Sequence, residues 1–180
     1  SFFDGIVTST LGINLVEGLV RIIIFMAYML LVSRMNEMKR VFAYHGAEHK
    51  TIRCYEAGLE LTVENVRPQT RMHPRCGTSF MILMMLVGIF IGLLIGIIFP
   101  ATRSNIFLYV GVKFLLLPVT MGLGYEIIRY AGKHDNAIVK ILSAPGLWMQ
   151  RISTKEPEDG MIEIAIAAVK PVLPEGNEEC

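Results

Sequence analysis

The chain has 180 residues, 53% of them hydrophobic and only 18% charged, with 17 Lys plus Arg set against 16 Asp plus Glu. With a mean hydropathy of +0.50, this composition excludes a disordered tail, a collagen-like chain and a small disulfide scaffold. It argues against a large soluble enzyme, and the net charge of +1 argues against nucleic acid as a partner.

The chain opens Ser1-Phe2-Phe3 without methionine or signal-peptide features, so it reads as a fragment or a processed chain. Leu11–Ser33 is the first candidate span, with Glu17 and Arg21 in its first half and an apolar run from Ile22 to Val32. Ser79–Phe99, SFMILMMLVGIFIGLLIGIIF, carries no charge and as a helix reaches about 31 Å, the thickness of a hydrocarbon core. Ile106–Ile128, with Lys113, Pro118 and Glu126, is read as one further span. The connection from Pro100 to Asn105 makes the last two an antiparallel hairpin. The expectation is an all-α membrane protein of about three transmembrane helices. It divides into 1–33, a loop over 34–78, the hairpin 79–128 and a tail over 129–180.

Arg34, Lys39, Arg40, Lys50, Arg53, Arg67, Arg71 and Arg75 lie in the long loop, against Arg103 alone in the short one. By the positive-inside rule the long loop and the tail are cytoplasmic, with all four histidines on that side. The basic loop could also bind anionic lipid. Cys54, Cys76 and Cys180 are too few and too scattered for a disulfide framework and suit a reducing compartment.

Gly88, Gly92 and Gly96 recur every fourth residue, a spacing that lets helix backbones approach, within this bundle or in a homo-oligomer. In the tail, Ile138, Ile141, Leu142, Trp148, Met149 and Ile152 are interrupted by Pro145-Gly146, which predicts an interfacial helix pair over 137–152. A second short helix is expected over Glu158–Val169, then a frayed Glu175–Cys180. Alternation over Leu59–Glu64 suggests a brief strand or extended arm.

Chemistry is concentrated in Tyr44–Lys50, where H-x-x-E-H sets His45 and His49 on one helix face with Glu48 beside them. Two imidazoles at that spacing can share one Zn²⁺, and a nearby carboxylate can serve as general base for a metal-bound water. His73 and Cys76, in HPRCG before the charge-free span, are further donors. Three protein ligands would leave a position for water, and four would close the site as structural. Glu56, Glu60, Glu64 and Glu126 could complete the set or orient an imidazole. Glu17, Arg21 and Lys113 are costly inside a bilayer. Either Lys113 pairs with Glu17 or another partner, or Arg21 and Lys113 snorkel to the headgroups.

YHGAEHKTI at 44–52, LTVENV at 61–66, HPRCGTSF at 73–80 and APGLWMQRISTKEP at 144–157 together resemble the YqhQ-type family of bacterial membrane proteins, a domain of unknown function described as predicted metal-dependent enzymes. The likeness runs from about Leu15 to Val169, without the glycine-rich amino-terminal signature usual in that family. It implies a polytopic protein of a bacterial inner membrane with His45, Glu48, His49, His73 and Cys76 inside its motifs. Three functions follow: a zinc-dependent membrane hydrolase acting on a peptide or a lipid-linked amide or ester with Glu48 as base, a noncatalytic assembly or partner-binding membrane protein with a structural metal or polar core, or an oligomeric transporter subunit.

Overall fold

The computed structural model describes residues 10–99, 105–134 and 136–173. Among them there is no strand; the helices are α1 Thr10–Val32, α2 Asn36–Glu56, α3 Val63–Val66, α4 Gly77–Ile98, α5 Ile106–Leu115, α6 Leu117–Lys133, α7 Ala137–Ser153 and α8 Asp159–Val169, then a 3₁₀ turn Lys170–Val172. The Pro100–Asn105 connection, apart from Asn105, and the Glu175–Cys180 tail lie outside the described residues.

The 14–32 part of α1 and the whole of α4 are long and apolar enough to cross a bilayer, and α5 with α6 makes a third span if the bent pair is one. The chain is an all-α protein of membrane type. The expected continuous third span is instead broken, with a bend of 44° between α5 and α6. Pro118 is the cause, because it has no N–H to offer the carbonyl one turn back and its ring crowds that turn. The expected helix pair over 137–152 is one helix, α7, with Pro145 inside it. Asn136 opens it by accepting the Val139 N–H at 2.9 Å. No strand forms over 59–64: residues 59–62 are irregular, with Thr62 extended at φ −118° and ψ 157°, and a helical turn begins at Val63. Thr62 accepts the Asn65 N–H at 3.3 Å and starts the single turn of α3, so a local cap outcompetes the alternating pattern.

The described chain divides into two compact units, 10–28 with 74–146 and 29–73 with 147–173. In the first, α4 packs on α6 and the helices approach closely through small residues. A Cβ on Gly146 would come within 2.8 Å of the Ser79 Cα. Asn14 Nδ2 donates to the Gly92 carbonyl at 3.4 Å.

In the second, α2 packs on α8, and Ala47, Cys54, Val66, Ile162, Ala165 and Ile166 form the core, flanked by Leu61, Val63 and Met161. Helix α2 ends where Gly58 turns at φ 67°, a left-handed conformation that costs glycine nothing. Arg67 Nε and Nη2 grip the two Asp159 oxygens at 3.0 and 2.6 Å, linking the end of α3 to the start of α8. Lys50, nearly buried, donates to the Arg67 carbonyl at 2.8 Å and pairs with Glu156.

Candidate metal centre

The H-x-x-E-H pattern falls in the middle of α2, where helical spacing sets His45 and His49 one above the other. Their rings meet edge to face with centroids 4.3 Å apart, and the His73 ring lies 5.8 Å from that of His49. His49 and His73 are buried and His45 is half-buried.

Main-chain carbonyls orient the pair. His45 Nδ1 lies 2.9 Å from the Ser153 carbonyl and His49 Nδ1 lies 2.6 Å from the Arg71 carbonyl. A carbonyl oxygen only accepts, so each Nδ1 carries a proton and donates, and in the metal-binding form of either ring the lone pair sits on Nε2. Outer-shell partners select the tautomer of metal-binding histidines in this way.

Close backbone approach makes the first of these contacts. A Cβ on Gly46 would stand 2.1 Å from the Lys155 carbonyl oxygen, so only glycine lets the 153–155 segment lie against α2. Lys155 N–H then donates to the Phe42 carbonyl at 2.8 Å. On the other side, Arg53 donates to the Met72 carbonyl through Nε and Nη2 at 3.2 and 3.1 Å, and Arg71 Nη1 donates to the Thr154 carbonyl at 2.6 Å.

His73 is clamped by Gln150, which is fully buried. The His73 N–H donates to Gln150 Oε1 at 2.8 Å, and Gln150 Nε2 donates to the His73 carbonyl at 2.6 Å. Its Nε2 faces both Glu56 oxygens at 3.2 and 3.1 Å. Burial pushes the His73 imidazole below its ordinary range, against the opposing pull of Glu56. A neutral ring donates Nε2–H to that carboxylate and keeps its lone pair on Nδ1.

Cys76 is buried at the start of α4, three residues beyond His73, with its sulfur 3.3 Å from Thr78 Oγ1. By residue type, His45, His49 and Cys76 are a donor set that could hold a metal ion.

Glu48, expected as the base, is exposed on α2. Glu60 and Glu64 are exposed as well, and the Glu60 carbonyl accepts from Asn65 Nδ2 at 3.0 Å. Glu126 is exposed and paired with Arg129 at 3.4 Å. Among the described residues Glu56 reaches a histidine, His73, and its place 17 residues before that histidine is something no local spacing reveals. Gln150 carried no signal beyond lying inside a motif.

Within the apolar helices Glu17 pairs with Arg21 on its own helix, so the expected Glu17–Lys113 pair does not form. An i,i+4 partner needs no second helix. The Lys113 ammonium instead lies over the Tyr109 ring, 4.4 Å from its centroid. Gly92 faces Lys113 and Tyr109, a Cβ on Gly88 would meet nothing within 4 Å, and Gly96 is buried. His134 stacks on Tyr130 with centroids 4.1 Å apart.

The family model described as "Protein of unknown function (DUF1385)" matches residues 1–175, and the chain belongs to that family. It is 40% identical over 159 residues to a Bacillus subtilis (strain 168) protein named "Uncharacterized protein YqhQ", covering 88% of this chain and 48% of that one. The chain therefore spans about half the length of the curated relative it matches. No solved structure matches it.

Proposed function

We propose that this member of the DUF1385 family is a membrane-inserted metalloprotein in which His45 and His49, with His73 as a further donor, hold a divalent transition metal whose role is to brace the 29–73 and 147–173 unit. The observation that carries the reading is the matched orientation of His45 and His49, each held by Nδ1 on a main-chain carbonyl from a different segment. Such fixed imidazoles suit Zn²⁺, which takes nitrogen donors in four-coordinate sites. When bound, the metal would supply a cross-link between segments that hydrogen bonds already bring together, adding binding free energy to folding free energy.

A noncatalytic role fits the placement of Glu48 on the exposed side of α2. The loop's Lys and Arg residues support a cytoplasmic position for this unit by the positive-inside rule. On this reading the protein works as a membrane assembly or partner-binding element.

The test is the metal content of the detergent-purified chain by mass spectrometry, with melting temperatures before and after chelation. About one zinc per chain is expected, as for a single four-coordinate site, together with its loss in His45→Ala/His49→Ala. Chelation should lower the melting temperature of the parent and leave that of the double variant unmoved. Glu48→Gln should keep both metal and melting temperature. Absence of metal above the double-variant level would overturn the proposal. Peptide or lipid-ester turnover that Glu48→Gln abolishes with metal retained would replace it with the hydrolase.

A further inference from the structure

A groove of about 620 Å³ runs between α2 and α8, away from the histidines. Lys39, Arg40 and Tyr44 line its α2 side, and Glu158, Gly160 and Ile164 its α8 side. Three features define what fits it. Its charge is net positive, two cations against the Glu158 carboxylate. Asp159 nearby is already gripped by Arg67 and adds no free anion. Gly160, exposed on its lining, leaves open space, since a Cβ there would meet nothing within 4 Å. One side is apolar, with Ile164 54% exposed and Met161 adjoining it.

Its position along the chain supplies the fourth constraint. Helix α1 ends at Val32, a tight turn follows through Ser33 N–H to the Met29 carbonyl and Met35 N–H to the Val32 carbonyl, and α2 starts at Asn36. The polar zone beyond a hydrocarbon core is only about 5–7 Å thick on each side. A cationic groove whose first residue is four positions beyond an apolar span therefore begins within a short length of chain from that zone. Met35 and Val41, both about half exposed, flank that start.

We infer that this groove binds the headgroup of an anionic phospholipid of the phosphatidylglycerol class. The phosphodiester would take Lys39 and Arg40, Arg40 already resting 5.9 Å from the Tyr44 ring centroid. Glu158 would accept from a glycerol hydroxyl, and Met161 with Ile164 would cover the first acyl carbons. A choline headgroup suits the groove less, because its fixed cation would sit against two others and offers no donor to Glu158. Basic residues next to a membrane attract anionic lipid in general; a groove adds a shape that a diffuse patch lacks.

The test adds dihexanoyl phosphatidylglycerol, dihexanoyl phosphatidylcholine or inorganic phosphate to the detergent-purified chain, reading bound ligand by native mass spectrometry and the shift in melting temperature. Phosphatidylglycerol alone should bind one to one and raise the melting temperature. Two variants should weaken it at least tenfold. Lys39→Gln/Arg40→Gln removes the charges of two exposed side chains, and Gly160→Leu adds a bulky side chain to the lining without touching a charge. Arg151→Gln, an exposed cation outside the groove, should bind as the parent does. Equal stabilisation by inorganic phosphate would assign a free-anion site and overturn the lipid. Unchanged binding in Gly160→Leu, or an equal loss in Arg151→Gln, would reduce the effect to surface charge and overturn the groove. So would the absence of any phosphatidylglycerol complex.

Discussion

Gly46 and Gln150 show how much a site can depend on residues that never touch a ligand. Any side chain at Gly46 must displace the Lys155 carbonyl, and the segment that would move carries the Ser153 carbonyl holding His45. Gly46→Ala is expected to lower stability by about 1–3 kcal/mol, the usual cost of overpacking, and to weaken metal retention in the same preparation. A melt and a metal assay on one sample check both. Gln150→Ala leaves the buried His73 N–H and carbonyl without these partners. Each orphaned group costs about 1–3 kcal/mol, so this variant should melt below Gly46→Ala, and Gln150→Glu should rescue less than half of the loss. Neither residue type is diagnostic in a sequence. The importance of Gly46 comes from a carbonyl 109 residues away, a relation that no local pattern encodes.

At the scale of elements, the link between α3 and α8 is electrostatic and therefore depends on pH. Arg67 holds the Asp159 carboxyl below its ordinary range, mainly through their direct hydrogen bond. A depressed folded value means that the unfolded chain binds the proton first as pH falls. The stabilisation is complete above the ordinary carboxylate value of 3.8 and is lost as pH drops through the lower folded value. Asp159→Asn should remove that acid limb and leave the melting temperature at pH 7 only slightly lowered, since the pair is exposed. Chemical unfolding between pH 2 and 7 compares the two. Cys54 is a second local consequence of packing. Burial pushes its thiol up, so it should resist alkylation at pH 8 in the folded protein and react only after denaturation.

Across the whole molecule, three of the four motifs that resemble a known family meet in one unit: the histidine helix, the Thr62-capped turn and the 147–157 part of the tail motif, with His73 beside them. Segments distant in the chain thus share one unit. Orientation is tested on intact cells with a membrane-impermeant thiol reagent on Glu37→Cys or Arg151→Cys, both at exposed positions. With the unit on the cytoplasmic side, labelling should appear only after the membrane is opened. Labelling of intact cells would reverse the topology.

Hydrophobic runs longer than a bilayer is thick, the i,i+4 spacing of His45 and His49, and the side of the membrane favoured by Lys and Arg are properties of neighbours along the chain. The sequence alone therefore determined the helical membrane class, the span at 79–99 to within two residues, and the residue types available to a metal. The bend at Pro118 was equally local, though a hydropathy reading passes over it because proline interrupts hydrogen bonding without adding charge. Tertiary structure decided what depends on long-range contact. It decided that Glu56 rather than Glu64 or Glu126 reaches a histidine, that Gln150 clamps His73, and that Lys39 and Arg40 face a groove. Partners 17 to 108 residues apart are selected by the packing of α2 against α8 and the tail segment, and packing is a property of the folded surface rather than of sequence spacing.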